Sequence, residues 1–214
     1  MTTTYGTTPD AEVPGEREDD DLDESLRNIE QAVRTAQRAF DEIGRCNRLL
    51  DHAQESGDEA IRELDALLRR REHAAVPALL DRLDALAAEV ARSEADRTVV
   101  RRILFGVDAD EEGELADAVG AQAVPRLTSD DLPRIPTVHD VEDPGDSTLE
   151  DMWERDQALA SRQHEVRRER IRIAAGHLRT VTARAVDSFG TPDATAALLV
   201  EARRAYVLWA SCVR

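Results

Sequence analysis

The chain has 214 residues and carries 45 acidic side chains against 28 basic ones, all of them arginine, for a formal net charge of -17. Aromatic residues make up only 3% of the chain, and no segment alternates clearly between apolar and polar residues, which argues against a β-sandwich or barrel. Alanine, leucine, glutamate and arginine dominate, a composition typical of long helices. The sequence therefore predicts an all-α fold of two helical hairpins in a coiled-coil-like bundle.

The acidic excess comes from two segments. Residues 1–24 hold nine acids and one arginine, and residues 106–146 hold twelve acids and two arginines. Both have little apolar surface to bury, so we expect a disordered acidic tail over residues 1–20 and an acidic, proline-containing linker with a short helix over residues 106–146. The alternative is that these acids mimic nucleic acid or bind a basic partner.

Residues 21–105 predict an N-terminal helical hairpin or three-helix region. The first helix is expected to begin at Asp21 or Asp23 and to reach about Gln54, with apolar residues alternately four and three apart, as in a coiled coil. Its d positions are Leu22, Ile29, Ala36, Ile43 and Leu50, and its a positions are Leu26, Val33, Phe40 and Asn47. An asparagine at an a position sets register and partner number, or it marks the end of the seam, and the sequence leaves both open for Asn47.

The helical pattern is expected to break at residues 56–58 (Ser-Gly-Asp) and to restart as a short helix ending in the arginines at 69–71. Pro77 suits the first turn of the next helix, because its missing N–H has no intrahelical partner there. Gly106 is expected to end that helix.

Residues 147–214 predict a C-terminal helical hairpin. Ser147 or Thr148 suits the cap of its first helix. The turn at residues 189–192 (Phe-Gly-Thr-Pro) combines a predicted left-handed stop at Gly190 with a cap and a first-turn proline.

The end of the last helix is apolar nearly all the way round, which requires burial on more than one side. A second subunit or the N-terminal hairpin is expected to supply that burial. The residues predicted for a partner or oligomer interface are Leu198, Leu199, Ala202, Tyr206, Trp209 and Val213.

Most catalytic signatures are absent from the sequence, including the phosphate loop, the dinucleotide fingerprint, the serine-hydrolase elbow and the zinc-protease motif. We therefore expect no catalytic residue, no metal and no cofactor. Glu112, Glu114 and Asp117 have half of the carboxylate spacing of a metal-dependent hydrolase, but the second half is missing upstream. His139 and the acids that follow it are interpreted as solvated side chains.

Basic residues concentrate in one helix, since residues 158–184 hold seven arginines and two glutamates. Three interpretations remain open: a solvated face with ion pairs, a strip that binds an acidic protein, and a surface that binds nucleic acid. No aromatic residues are interleaved for base stacking. The candidate contact face consists of Arg162, Arg167, Arg168, Arg170 and Arg172.

These features favour a non-catalytic assembly or adaptor subunit of a larger complex that binds a protein partner or self-associates. A nucleic-acid-associated subunit using the arginine-rich helix at 162–184 is the alternative, and a metal-dependent hydrolase is the second. No secretory signal or membrane span is expected from the apolar pattern. Cys46 and Cys212 lie far apart in helical patterns, which favours reduced thiols and a cytoplasmic location.

Overall fold

The computed structural model describes residues 15–105, 124–141 and 148–214, and within the first range it describes side chains from 24 to 102. The four helices are α1 (Gly15–Arg70), α2 (Val76–Phe105), α3 (Leu149–Asp187) and α4 (Pro192–Val213). Short 3-10 turns lie at His73–Ala75, Ser129–Asp131 and Val138–Asp140. No strand occurs in the described ranges, and the helices pack as a bundle, so the predicted all-α fold is confirmed.

Helix α1 is one continuous helix of 56 residues, which differs from two sequence predictions. It begins at Gly15 rather than near Asp21, so residues 15–20 belong to the helix, and the remainder of the predicted tail lies outside the described residues. The predicted break at residues 56–58 is wrong. Gly57 is buried inside the helix, where its missing side chain lets the end of α3 approach closely, and this packing overrides its low helix propensity.

The first hairpin turns sharply after Arg70. Arg71 adopts a left-handed conformation with φ of 58°. Its N–H donates to the Leu68 carbonyl at 3.2 Å, and the Glu72 N–H donates to the Leu67 carbonyl at 3.0 Å. This pattern satisfies the last carbonyls of α1 and turns the chain directly into α2, whose second residue is the predicted first-turn Pro77.

The four helices form a bundle in which α1 packs on α2 and α3, and α4 packs on α3 and α2. Helix α2 runs antiparallel to α1, since the Cys46 thiol lies 3.4 Å from the Ser93 carbonyl while Arg82 pairs with Glu63 nearer the turn. Helix α3 also runs antiparallel to α1, because Gly57 meets its end at Val186, whereas Asp65, further along α1, meets the earlier residue Arg179.

The core fills only part of the length of these helices. Its buried residues lie between Ala53 and Leu67 in α1, Val76 and Val90 in α2, Ala174 and Phe189 in and just after α3, and Leu199 and Trp209 in α4. The side chains of residues 24–38 in α1 and of residues 149–158 in α3 are exposed or half-buried. The first parts of α1 and α3 therefore extend beyond the four-helix core, at opposite ends.

The described part of the predicted linker, residues 124–141, lies along α3. Leu132 is buried, and the carbonyls of Pro133 and Pro136 accept hydrogen bonds of 2.8 Å from Arg170 and Gln163 of α3. The prolines exclude a helix here, and α3 side chains satisfy the carbonyls that a helix would have paired. The predicted short helix lies outside the described residues.

The turn between α3 and α4 occurs where the sequence predicts it. Pro192 is the first residue of α4, and the buried Thr195 hydroxyl donates to the Thr191 carbonyl at 3.0 Å and to the Ser188 carbonyl. Gly190 does not adopt the predicted left-handed φ. The hydroxyl of Thr195, rather than a glycine conformation, satisfies the carbonyls of this turn.

Candidate functional site

The carboxylates of the described residues do not converge on a metal-type cluster: no group of three or more histidine, cysteine or acidic side chains there is placed to hold an ion. Glu112, Glu114 and Asp117, the hydrolase alternative, lie outside the described residues. The Asp140 carboxylate accepts hydrogen bonds from the N–H and hydroxyl of Thr137 at 2.6 and 2.9 Å, which lower its pKa. Asp140 therefore caps a turn.

The strongest chemical feature is a groove lined by arginines from α1, from α3 and from the residues that directly follow α1 and α4. Helices α1 and α3 form one part of it and the end of α4 closes another, with Arg71, Arg168 and Ile171 common to both parts. We call it the arginine groove. Its arginines are Arg69, Arg71, Arg167, Arg168, Arg170, Arg172, Arg179 and Arg214.

Several arginines of the groove have partners at its edges. The Arg179 Nε lies 2.7 Å from Asp65 Oδ1, and the Arg172 Nε lies 2.8 Å from Glu169 Oε2. The Arg172 hydrogen bond lowers the pKa of Glu169 and raises the pKa of the guanidinium. Arg170 is held by the Pro133 carbonyl. These contacts fix the rim of the groove.

Three other arginines of the groove are different. Within the part of the chain that the structure describes, Arg71, Arg167 and Arg168 have no ion pair or side-chain hydrogen bond. Each is exposed. Three unpaired guanidinium groups, two of them common to both parts of the groove, produce a locally positive surface on a chain of net charge -17.

The structure brings most of the predicted contact face into this groove. Arg167, Arg168, Arg170 and Arg172 line it, whereas Arg162 is exposed but does not. Sequence reasoning missed Arg71, which the left-handed turn after α1 carries to α3. The run of three arginines at 69–71 was visible in the sequence, but only tertiary packing shows what it faces.

The predicted partner interface on α4 is placed largely inside the bundle. Leu199, Ala202 and Trp209 are buried in the chain's own core, and Leu198, Tyr206 and Val213 pack partly against it. Trp209 is fully buried, although its indole Nε1 has no hydrogen-bond partner among the described residues. The other helices of the same chain therefore bury the residues that the sequence assigned to a partner interface. Self-association stays a prediction, and it requires another surface.

Such a surface exists on the first half of α1. Leu26, Ile29, Val33 and Phe40 repeat at coiled-coil spacing, and each leaves 57–60% of its surface exposed. We call these four residues the α1 seam. Asn47 continues the same line and is exposed, so its predicted register-setting role is not used in the packing of the single chain.

The buried side of α1 faces a different direction from the α1 seam. Ala39 and Cys46 are buried, and the Cys46 thiol contacts the Ser93 carbonyl of α2. These small residues lie one position before Phe40 and Asn47 in the sequence. The single chain therefore covers the side of α1 next to the α1 seam, and the a-position residues Phe40 and Asn47 stay exposed.

None of the described helices combines the length and the apolar character that crossing a membrane demands. Comparison of the chain with protein-family models, with curated proteins and with solved structures finds no match. The α1 seam and the arginine groove are therefore the two surfaces that indicate a function.

Proposed function

We propose that the protein is a non-catalytic assembly subunit whose copies join through the α1 seam in a parallel coiled coil. The observation that carries this proposal is the exposure of four large apolar side chains at heptad spacing on a helix that extends beyond the core. Burial of each large side chain stabilises a complex by about 1.5–3 kcal/mol before the costs of association. Together with Asn47, which continues the same line, the seam spans about three heptads.

Asn47, at an a position, favours a second copy of the chain as the partner that binds the α1 seam. In a parallel two-stranded coil, Asn47 of each copy lies opposite the same residue of the other, and the two amides satisfy each other. The neighbouring Ala39 and Cys46 are uncharged and buried within the single chain, so they add no like-charge repulsion between copies. A helix of a different protein is the alternative occupant.

Light scattering of the purified chain tests the proposal. At high salt, where contacts between exposed charges are screened, the wild type should have twice the 23.7 kDa mass of one chain, and the double variant Val33→Glu and Phe40→Glu should have the mass of one chain. Both positions are exposed in the single chain, so the variant should keep its helical circular dichroism.

Asn28→Glu and Gln31→Glu form the matched control, since both residues are exposed on the opposite face of α1 and the charge change is the same. The control should remain dimeric. A wild-type chain that stays at 23.7 kDa at high micromolar concentration would contradict self-association. Equal dissociation of both variants would show that charge, not the seam, controls assembly.

The free cysteines support a cytoplasmic location as part of the same proposal. Cys46 is buried against α2 and Cys212 is half-buried in α4, and neither forms a disulfide. Reduced thiols persist in the reducing conditions of a cytoplasm.

A further inference from the structure

We infer that the arginine groove binds the acidic N-terminal segment, residues 10–24, of another copy of this chain. Eight arginines line the groove. The segment is one of the two strongly acidic parts of the sequence. The segment concentrates nine acids and one arginine in fifteen residues. The contact would join copies head to tail, through surfaces that differ from the α1 seam.

The lining of the groove is strongly positive. Eight arginines line it, and Asp65 is the only acidic residue among the lining residues of the described chain. Because Asp65 pairs with Arg179, no acidic side chain among the lining residues pairs with Arg71, Arg167 or Arg168. Arginine forks bind carboxylates through paired, charge-assisted hydrogen bonds.

The shape and lining of the groove favour a peptide over a nucleic acid. Leu68, Ile171 and Ala175 provide an apolar floor between the arginines, and this floor suits an aliphatic side chain of a peptide such as Val13 of the acidic segment. No Phe, Tyr or Trp side chain lines either part of the groove, and His164 is the single aromatic ring among the lining residues of the described chain, so the platform for base stacking is small.

Reach excludes the segment of the same copy. Gly15 and Arg71 lie at opposite ends of α1, about 84 Å apart at 1.5 Å per residue. Residues 10–14, which precede the helix, span at most about 18 Å even when fully extended. Acids of residues 10–24 therefore cannot meet the groove of their own chain, and another copy must supply them.

A labelled peptide with the sequence of residues 8–24 tests the inference by fluorescence anisotropy. The titrated protein is the full chain carrying Val33→Glu and Phe40→Glu, so that the result does not depend on the α1 seam. We expect saturable binding that weakens by about tenfold or more when salt is raised from low to physiological concentration, because exposed charges are screened.

Two variants with the same loss of charge identify the site. Replacing Arg71, Arg167 and Arg168 with glutamine should weaken binding at least about tenfold, which is about 1.4 kcal/mol. Replacing Arg38, Arg48 and Arg62 with glutamine should change it less than about twofold. All six side chains are exposed, and the second three lie outside the groove. Arg168→Gln alone keeps the test valid if the triple variant unfolds.

The outcomes separate the alternatives. No binding of the peptide, or equal weakening by both sets of substitutions, would overturn the inference. Tighter groove-dependent binding of a single-stranded DNA oligonucleotide of matched charge would also overturn it, in favour of nucleic acid. Unchanged binding of a peptide whose acids are replaced by asparagine and glutamine would exclude carboxylate recognition.

Discussion

Gly57 shows how one missing side chain determines the contact between two helices. A Cβ atom at this position would lie 2.5 Å from Val186 Cγ1 and 3.2 Å from Phe189 Cε2. Both neighbours are buried at the end of α3, so neither can move into solvent. The residue that local propensity identifies as a helix breaker is therefore needed inside the helix.

Gly57→Ala should lower the free energy of unfolding by about 1–3 kcal/mol, because overpacking outweighs the gain in helix propensity. Gly176→Ala is the matched control in α3, since a Cβ there meets nothing within 4 Å. The control should raise the free energy of unfolding by about 0.5–1 kcal/mol. Urea denaturation measures both, and stabilisation by both substitutions would contradict the close contact at Gly57.

Thr148 and Asp151 begin α3 with reciprocal hydrogen bonds. The Asp151 carboxylate accepts from the Thr148 hydroxyl at 2.6 Å and from its N–H at 2.9 Å, and the side-chain bond is the larger cause of its lowered pKa. Because the folded-state pKa lies below the unfolded value of about 3.9, this contribution to stability is present above that pH and is lost as pH falls through the folded-state pKa.

Thr148→Val should therefore raise the pKa of Asp151 toward its ordinary value, since only the backbone donor remains. An NMR titration of the Asp151 carboxyl measures the change, with Thr180→Val as the control because that hydroxyl bonds to Gly176 within α3. The difference in melting temperature between wild type and Thr148→Val should be largest at neutral pH and should shrink below about pH 3.9. A difference that grows on acidification would contradict the cap.

At the scale of whole elements, local signals were sufficient where the structure depends on local bonds. The cap at Thr148, the first-turn proline at position 77 and the turn at residues 189–192 all lie where the sequence predicts them. Each depends either on hydrogen bonds between residues a few positions apart or on a proline that lacks an N–H donor. The local sequence is therefore enough to predict them.

Features that depend on distant neighbours were not predictable from local pattern. The continuity of α1 through Gly57 depends on α3, and the burial of Trp209 depends on the other helices of the bundle. The arginine groove likewise needs Arg71 of the first hairpin beside Arg168 of the second. Helical periodicity identifies which face is apolar, but it does not identify which neighbour covers that face.

For the whole molecule, the position of the core predicts which part of the chain is dispensable for folding. Ala39 is the first buried residue among the described side chains of α1. Deleting residues 1–20 from the monomeric Val33→Glu and Phe40→Glu variant should change the free energy of unfolding by less than about 0.5 kcal/mol. Chemical denaturation tests this, and a large loss of stability would show that the segment contacts the core.

The length of α1 also determines how the molecule diffuses. Its 56 residues extend about 84 Å, whereas a compact domain of 214 residues has a radius of gyration of about 17 Å. A particle this elongated experiences more friction than a sphere of equal mass, so it sediments slowly and elutes early from a sizing column. A single chain would then resemble a larger globular protein by elution volume, while scattering intensity reports its true mass.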